Sequence, residues 1–527
     1  MEGTSKSAAV PTLKYKIRYS EKLGRYLQAA TDLQPGEVIF REEPIVVGPL
    51  SCNRNLLCFA CMSLLPPNEE EEQYFCTKCD VVPLCGSACE EHPRHHTPDE
   101  CELFRTNEDV LKKNLCYITG YISSILMILR FWLLKKRDPK LWERVRSMEA
   151  HLEKRRGTEE WEDRETNIIN MMKSLSLVPY DDPSVSEILQ LMCAITDVNS
   201  LELRPPGSTR EALYLRGLFE KTSLLSHSCR GNLHLTMNRD FKLTVHASVP
   251  IKKGDIICFN YTSPLLGTLS RRQHLRKTKY FECDCSVCRD PYELGSYIST
   301  ILCPRCRKGY LGMEDPLTKF PYERKWKCDN CEHHMAGYLV KTTLNLCKSL
   351  LNDDTRDAKE LEILKKKLLK TLHRNHFLVV EVKQKLLATY RLEVVKPNPN
   401  KRSMENMLNV CKEMYELMEI VEPGISRHKA ILLFELHLPI VSLANQAHCR
   451  QEISSIELAP RLEEGASILK KSLAMLLLQP PDTPEGALAK RGLEKLKALN
   501  TTISDVKALS QLEQLTVRER RRLHKHK

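Results

Sequence analysis

At 527 residues, with 42% apolar and 28% charged side chains, the chain is a folded protein too long for one compact core, which excludes a lone small domain and implies about two to four domains. Its net charge of +12 permits acidic partners without naming them. Residues 1–14 are polar with no apolar signal-peptide region, and clustered, closely spaced cysteines argue for metal binding in the cytosol or nucleus rather than disulfides.

Short strands are expected over 15–50: Tyr15, Ile17 and Tyr19 alternate, Gly24 breaks the run, and Pro35-Gly36 turns the chain before Val38, Ile39 and Phe40. A cysteine-rich insertion follows at 52–104, with Cys58-x2-Cys61, Cys76-x2-Cys79, Cys85-x3-Cys89, and Cys101 preceded by histidines. Thiolates two or three residues apart can share one tetrahedral Zn²⁺. Two closed sites need about eight ligands. Seven are these cysteines, and His92, His95 and His96 compete for the eighth place.

Helical patterns then run to about Leu191, and the charged segment 135–164 is expected at the surface. Residues 115–134 are apolar enough to raise a membrane question, but they include Arg130. An interior arginine costs on the order of 3 kcal/mol in lipid, so a buried helix is expected and no membrane span.

Strand-like character returns over 213–261, including Leu243, Val245 and Ala247, with a turn at Lys253-Gly254-Asp255. Next come Cys283-x-Cys285-x2-Cys288 and two knuckles, Cys303-x2-Cys306 and Cys328-x2-Cys331, separated by 21 residues. Two such knuckles form a zinc ribbon, and four thiolates close the coordination shell, leaving no open position for a catalytic water. Beyond Cys331 the spacing predicts helices over 339–392, 404–418, 431–447 and 459–477, broken at 397–400, Pro423-Gly424 and Pro480-Pro481. Antiparallel pairs of this length suggest a repeat-like stack. The run Arg518, Arg520, Arg521, Arg522, Lys525 and Lys527 reads as a solvated terminus, and is also compatible with nucleic acid as a partner. Cys52, Cys116, Cys193, Cys258, Cys347, Cys411 and Cys449 are scattered among apolar residues and read as core or incidental.

The cysteine-rich insertion interrupts a recognisable frame. Before it lie Lys22-Leu23-Gly24-Arg25-Tyr26-Leu27-Gln28-Ala29 and Leu33-Gln34-Pro35-Gly36-Glu37-Val38-Ile39. After it come Ser226-His227-Ser228-Cys229-Arg230-Gly231-Asn232, Gly254-Asp255-Ile256-Ile257-Cys258-Phe259-Asn260-Tyr261 and Phe281-Glu282-Cys283-Asp284-Cys285-Ser286-Val287-Cys288. The chain resembles a SET methyltransferase domain split by a MYND zinc finger, the SET-and-MYND (SMYD) family, and most of all its arthropod-type, SmydA-like members. That resemblance implies an α+β multidomain protein. Its parts are the SET N-terminal part (14–51), the MYND finger (52–104), a helical SET insertion (105–195), the SET core (196–265), a post-SET region with zinc ribbon (266–335), an all-α TPR-like domain (336–515) and a basic tail (516–527).

The resemblance also implies four zinc ions. In the finger, Cys58, Cys61, Cys85 and Cys89 hold one, and Cys76, Cys79, His96 and Cys101 the other. Cys229, Cys283, Cys285 and Cys288 hold the post-SET ion, and Cys303, Cys306, Cys328 and Cys331 the ribbon ion. The implied activity is a protein-lysine N-methyltransferase, a chromatin-regulator type of enzyme, using S-adenosylmethionine on a histone or another protein. Gly24, Arg25, Asn199, Ser226, His227, Tyr261 and Phe281 then line the cofactor site, with Phe281 on the adenine and Tyr261 as the catalytic tyrosine beside the lysine channel. The acceptor amine has a free pKa of about 10.4 and must arrive neutral, which a narrow apolar channel favours; holding amine and methyl in line supplies much of the rate.

Three positions depart from the family pattern. Ser226 replaces an asparagine, Tyr26 a glycine, and Lys279 the second channel tyrosine, with Tyr280 adjacent. These favour a second reading, a zinc-stapled adaptor or transcriptional co-repressor; His227, Asn199, Tyr261 and Phe281 favour the enzyme. Expected partners are a protein with a target lysine and peptides bound at the finger, for a monomer residing in the nucleus, the cytoplasm or both.

Overall fold

The structure is a computed structural model that describes residues 13–49, 56–66, 73–91, 96–113, 115–206, 215–351, 357–394, 396 and 399–525. Cys52, His92 and His95, and the side chain of Cys116, lie outside the described residues.

In chain order the first elements are β1 (Tyr15–Ser20), β2 (Gly24–Ala29), β3 (Val38–Glu42) and β4 (Val46–Pro49). After the finger come α1 (Pro98–Thr106), α2 (Glu108–Lys113), α3 (Leu115–Arg137), α4 (Pro139–Arg146), α5 (Leu152–Arg155), α6 (Glu159–Arg164), α7 (Asn170–Ser174) and α8 (Pro183–Asn199). Strands resume with β5 (Leu201–Leu203), β6 (Leu215–Leu218), β7 (Ser226–His227), β8 (Leu233–Met237), β9 (Leu243–Ala247) and β10 (Cys258–Phe259). Then follow α9 (Thr268–Lys279), α10 (Ser286–Arg289), β11 (Ile301–Leu302), β12 (Tyr310–Met313), β13 (Lys325–Cys328) and β14 (His334–Ala336). The remainder is α11 (Gly337–Ser349), α12 (Ala358–Leu368), α13 (Phe377–Val394), α14 (Lys401–Val421), α15 (Arg427–Cys449), α16 (Ser455–Leu476) and α17 (Pro484–Lys525).

Strands from either side of the insertion pair with one another. β3 lies against β9, which pairs β8, and β4 lies against β6, which pairs β5. Thus 38–49 is hydrogen-bonded to 215–247, and the finger is an excursion from a single β framework. The β1–β2 hairpin turns at Gly24, whose φ of +64° favours glycine.

The finger is tied to that framework by the one charge in an apolar stretch. Arg130 on α3 is 3% exposed, donates to Glu100 of α1 at 2.9 Å, and also reaches the carbonyls of Val47 and Phe59. A buried guanidinium is tolerable only when paired and fully hydrogen-bonded, so Arg130 marks α3 as the hub between finger and sheet. Among the described residues, α15 is the helix long and apolar enough to cross a membrane, and 61% of that window is buried between its neighbours.

The segment 135–164 differs from expectation. Its lysines and glutamates are largely exposed, but Trp142, Val145, Met148, Ala150 and Arg155 are buried, because short helices α4 to α6 fold this stretch onto α8. The backbone of the basic tail continues α17 as far as Lys525.

From α12 to α17 each helix packs on the next. Asp357 and Ser454 start α12 and α16 with reciprocal capping boxes to Glu360 and Glu457. This stack rests on the SET sheet through two interhelical loops: Ile425 N–H donates to the Ser248 carbonyl at 2.8 Å, and Asp482 accepts from Arg239 N–H at 2.8 Å.

Candidate functional site

Parallel pairing of β7 with β10 sets Ser226 beside Cys258 and His227 beside Phe259. The loop after β7 is laced to the same strand. Ser228 N–H donates to the Phe259 carbonyl, Asn232 bridges Ile256 and Cys258, and Asn260 donates to the Cys229 carbonyl at 3.1 Å. Gly231 permits this closeness, since a Cβ there would stand 3.1 Å from Asn260 N and the Cys258 carbonyl.

His227 sits at the crossing. Its Nδ1 accepts from Tyr261 N–H at 3.1 Å, which leaves the proton on Nε2, 3.4 Å from Cys229 Sγ. The ring thus links the tyrosine backbone to a thiolate, and its faces lie 5.1 Å from the Tyr261 ring and 5.8 Å from Phe281. Both ring nitrogens are engaged within the chain, so any cofactor contact by His227 is through the ring and backbone.

Cys229 in turn is 3.9 Å from Cys283 Sγ and 3.5 Å from Cys288 Sγ. Thiolates about 2.3 Å from one zinc in a tetrahedron lie about 3.8 Å apart, and this spacing recurs at Cys76–Cys101, Cys303–Cys331 and Cys306–Cys328, each 3.8 Å. Among the described residues, four groups bring their ligand atoms within 4.8 Å of one another: Cys58, Cys61, Cys85, Cys89; Cys76, Cys79, His96, Cys101; Cys229, Cys283, Cys285, Cys288; and Cys303, Cys306, Cys328, Cys331. Soft thiolates with at most one imidazole, closed at four donors, fit zinc. His96 Nε2 is 3.7 Å from Cys79 Sγ, while its Nδ1 lies 3.6 Å from a Glu100 oxygen, beyond hydrogen-bond distance.

The expected cofactor residues gather around this pin. Lys22, just before Gly24, pairs with Asp284 between two of the zinc cysteines at 2.8 Å, so the β1–β2 turn faces the Phe281 segment. No atom lies within 4 Å of where a Gly24 Cβ would stand, leaving open space over this turn. Arg25 donates to the Ser147 carbonyl at 3.1 Å, and Asn199 to the Glu149 and Ile195 carbonyls at 2.8 Å each. Arg25 and Asn199 thus both bond the 147–149 segment, the Gly24 turn is tied to the segment after Phe281, and His227 lies against Tyr261 and Phe281. Residues 147–151 join this wall. Sequence reading missed them because their only signal is charge, and their position depends on the fold of α4 and α5.

Tyr261 closes the far side. Its hydroxyl donates to the Leu225 carbonyl, and burial, with Cys258 nearby, raises its pKa above the usual phenol range, so it stays protonated. It faces a cleft of about 570 Å³ between the SET sheet and the helical stack. Phe259, Val198 and Lys279 lie on the inner side; Arg427, Asp482 and Glu485 line the outer wall.

Lys279, the last residue of α9, reaches back to the end of α8. Its Nζ donates to the Val198 carbonyl at 2.5 Å and to the Asp197 carbonyl at 3.3 Å, and lies 5.9 Å from the centre of the Tyr261 ring. Burial, reinforced by Arg216 and opposed by Asp197, lowers its pKa to about 8. Asp197 itself is pushed upward by burial, yet Arg164, Arg216 and Arg155 hold it at about 2. Tyr280 turns away in a left-handed conformation, its ring against His151 and its hydroxyl accepting from Arg155. Lys279 rather than Tyr280 thus faces the cleft.

Comparisons with known proteins show what the chain is similar to. Residues 24–262 match the family pattern described as the SET domain. The Drosophila melanogaster "SET domain-containing protein SmydA-8, isoform A" is 29% identical over 322 residues, 60% of this chain and 65% of that protein. "Histone-lysine N-methyltransferase ASHR1" of Arabidopsis thaliana is 25% identical over 58% of this chain and 62% of its own length. Human "Histone-lysine N-methyltransferase SMYD3" is 23% identical over 53% of this chain and 62% of its own. Each of these matches spans less than two-thirds of the relative. The SET match covers residues 24–262, and the four cysteine clusters and the helical C-terminal part lie within and after it.

Proposed function

We propose that the chain is a protein-lysine N-methyltransferase that uses S-adenosylmethionine. The observation that carries this reading is the placement of Tyr261, with zinc-pinned His227 and Phe281 behind it and an open cleft in front. The donor, when bound, supplies an electrophilic methyl group. Gly24, Arg25, Asn199, Ser226 and Phe281 hold it, and the post-SET cysteines keep Phe281 against the β7 loop. The Tyr261 hydroxyl, neutral at all physiological pH values, orients an acceptor amine and shields it from water.

The cleft takes an extended segment of a protein substrate, histone or other, with its lysine directed inward. Its outer wall is mixed in charge, with Arg427 and Arg204 near Glu485, so it favours no strongly acidic or basic partner. The paired zinc sites at 58–101 form a MYND-type finger that binds partner peptides, and the protein acts as a monomer in the nucleus or cytoplasm. Against the departures at Ser226, Tyr26 and Lys279, the grouping of His227, Tyr261 and Phe281 supports the enzyme over the adaptor.

Calorimetric titration with S-adenosylmethionine tests the core of this reading: a saturable heat is expected, and its absence at high donor concentration sinks it. Transfer of labelled methyl to protein lysine should then fall on the order of 10²-fold in Tyr261→Phe, with donor affinity little changed.

A further inference from the structure

The inner end of the cleft already contains a primary amine. An incoming lysine side chain needs two things there: partial negative charge to draw the cation in, and an aromatic wall beside the reacting amine. The last carbonyls of α8 provide the first, because helix C-terminal carbonyls lack intrahelical donors and carry the negative end of the helix dipole. Tyr261 provides the second. Both are engaged by Lys279, whose Nζ bonds the Val198 and Asp197 carbonyls and lies over the Tyr261 ring. Among the described residues, no acidic side chain pairs with it. The Asp197 carboxylate is committed to Arg155, Arg164 and Arg216.

We propose that Lys279 occupies the acceptor-amine seat as an internal stand-in for the substrate lysine, so that a peptide lysine must displace it before methyl transfer. This inference rests on the methyltransferase reading above. An internal occupant lowers the apparent affinity for the acceptor by the fraction of molecules in which the seat is free. It acts on acceptor binding, because its bonds go to the Asp197 and Val198 carbonyls and none to Gly24, Ser226 or Phe281. The position after Lys279 assists displacement. Tyr280 adopts φ of +59°, so α9 ends at Lys279 and the side chain can swing without unwinding a longer helix.

The test uses n-butylamine, which has the reach of a lysine side chain and requires no knowledge of the substrate protein. In the full-length zinc-loaded chain, Lys279→Ala and Lys279→Ser vacate the seat. In the reaction measured, the butylamine nitrogen forms a bond to the methyl carbon as the carbon–sulfur bond of the donor breaks. The donor leaves as S-adenosylhomocysteine and the surplus amine proton passes to solvent. Methylbutylamine formation should rise by about tenfold or more in both variants, through a lower apparent KM for the amine. Donor affinity, followed by calorimetry, should stay within about twofold in both of them. Equal or lower methylation in both vacated variants, with donor binding intact, overturns the proposal. Loss of donor heat in the wild type as well would instead bring down the methyltransferase reading on which it rests.

Discussion

Four buried histidines make this protein acid-sensitive. Burial, the first cause in each case, lowers the pKa of His234, His373 and His437 to about 4 and of His376 to about 3. Neighbouring positive groups add to this: His246 at His234, Arg374 at His373, His373 at His376 and Lys495 at His437. In the unfolded chain these imidazoles titrate near pH 6.5. The folded pKa is depressed, so the stabilisation is complete above pH 6.5 and is lost as pH falls toward 4, where the unfolded state binds more protons. Each pH unit over which one such histidine stays neutral is worth about 1.4 kcal/mol. The melting temperature should therefore fall steeply between pH 6.5 and 4.5, and His376→Asn or His437→Asn should flatten that slope. A melting temperature constant over this range contradicts the assignment.

The contact between α1 and α3 shows how an element-level tie depends on one ion pair. Burial would raise the Glu100 carboxyl, but Arg130, with His96, holds it at about 2. The same carboxylate lies beside the finger ligand His96 on one side and anchors the guanidinium that grips β4 on the other. Glu100→Ala leaves a buried guanidinium without its counter-ion, which costs about 3–5 kcal/mol. Denaturant unfolding should show that loss, and zinc release from the finger should quicken. Removing both charges together, as Glu100→Leu with Arg130→Met, should recover most of the stability, since an apolar pair of similar volume avoids the desolvation cost.

The seating of the helical stack on the SET sheet decides the width of the cleft. Gly424 is the tightest point of that contact: with φ of +75°, a Cβ there would stand 2.0 Å from the Ser248 carbonyl oxygen. Gly424→Ala cannot be accommodated without lifting the stack away from β9. It should weaken the bond of Ile425 to Ser248 and splay the wall that bears Gln479 and Asp482. The expected result is a several-fold higher KM for a protein substrate with donor affinity unchanged, measured by steady-state transfer and calorimetry. An unchanged KM would mean that the stack plays no part in holding the acceptor.

Much of this protein was readable in its residue order. The cysteine groups were, because ligand spacing is a local property: two residues between thiolates already meet the reach of one ion. The long apolar-periodic helices after Cys331 and the alternation around Leu243 to Ala247 were readable for the same reason, since period reports the buried face. Arg130 could be read as a buried charge, but not its partner, because Glu100 lies 30 residues away on another helix. Residues 147–151 looked like surface charge and instead form a wall beside Asn199 and Arg25. Lys279 looked like a lost tyrosine; only the meeting of the ends of α8 and α9 put its amine on the Val198 carbonyl. Local chemistry therefore settled which residues bind metal and which segments form helices or strands. Packing between segments far apart in the chain settled which side chains share the cleft, because burial, pairing and reach exist only once those segments touch.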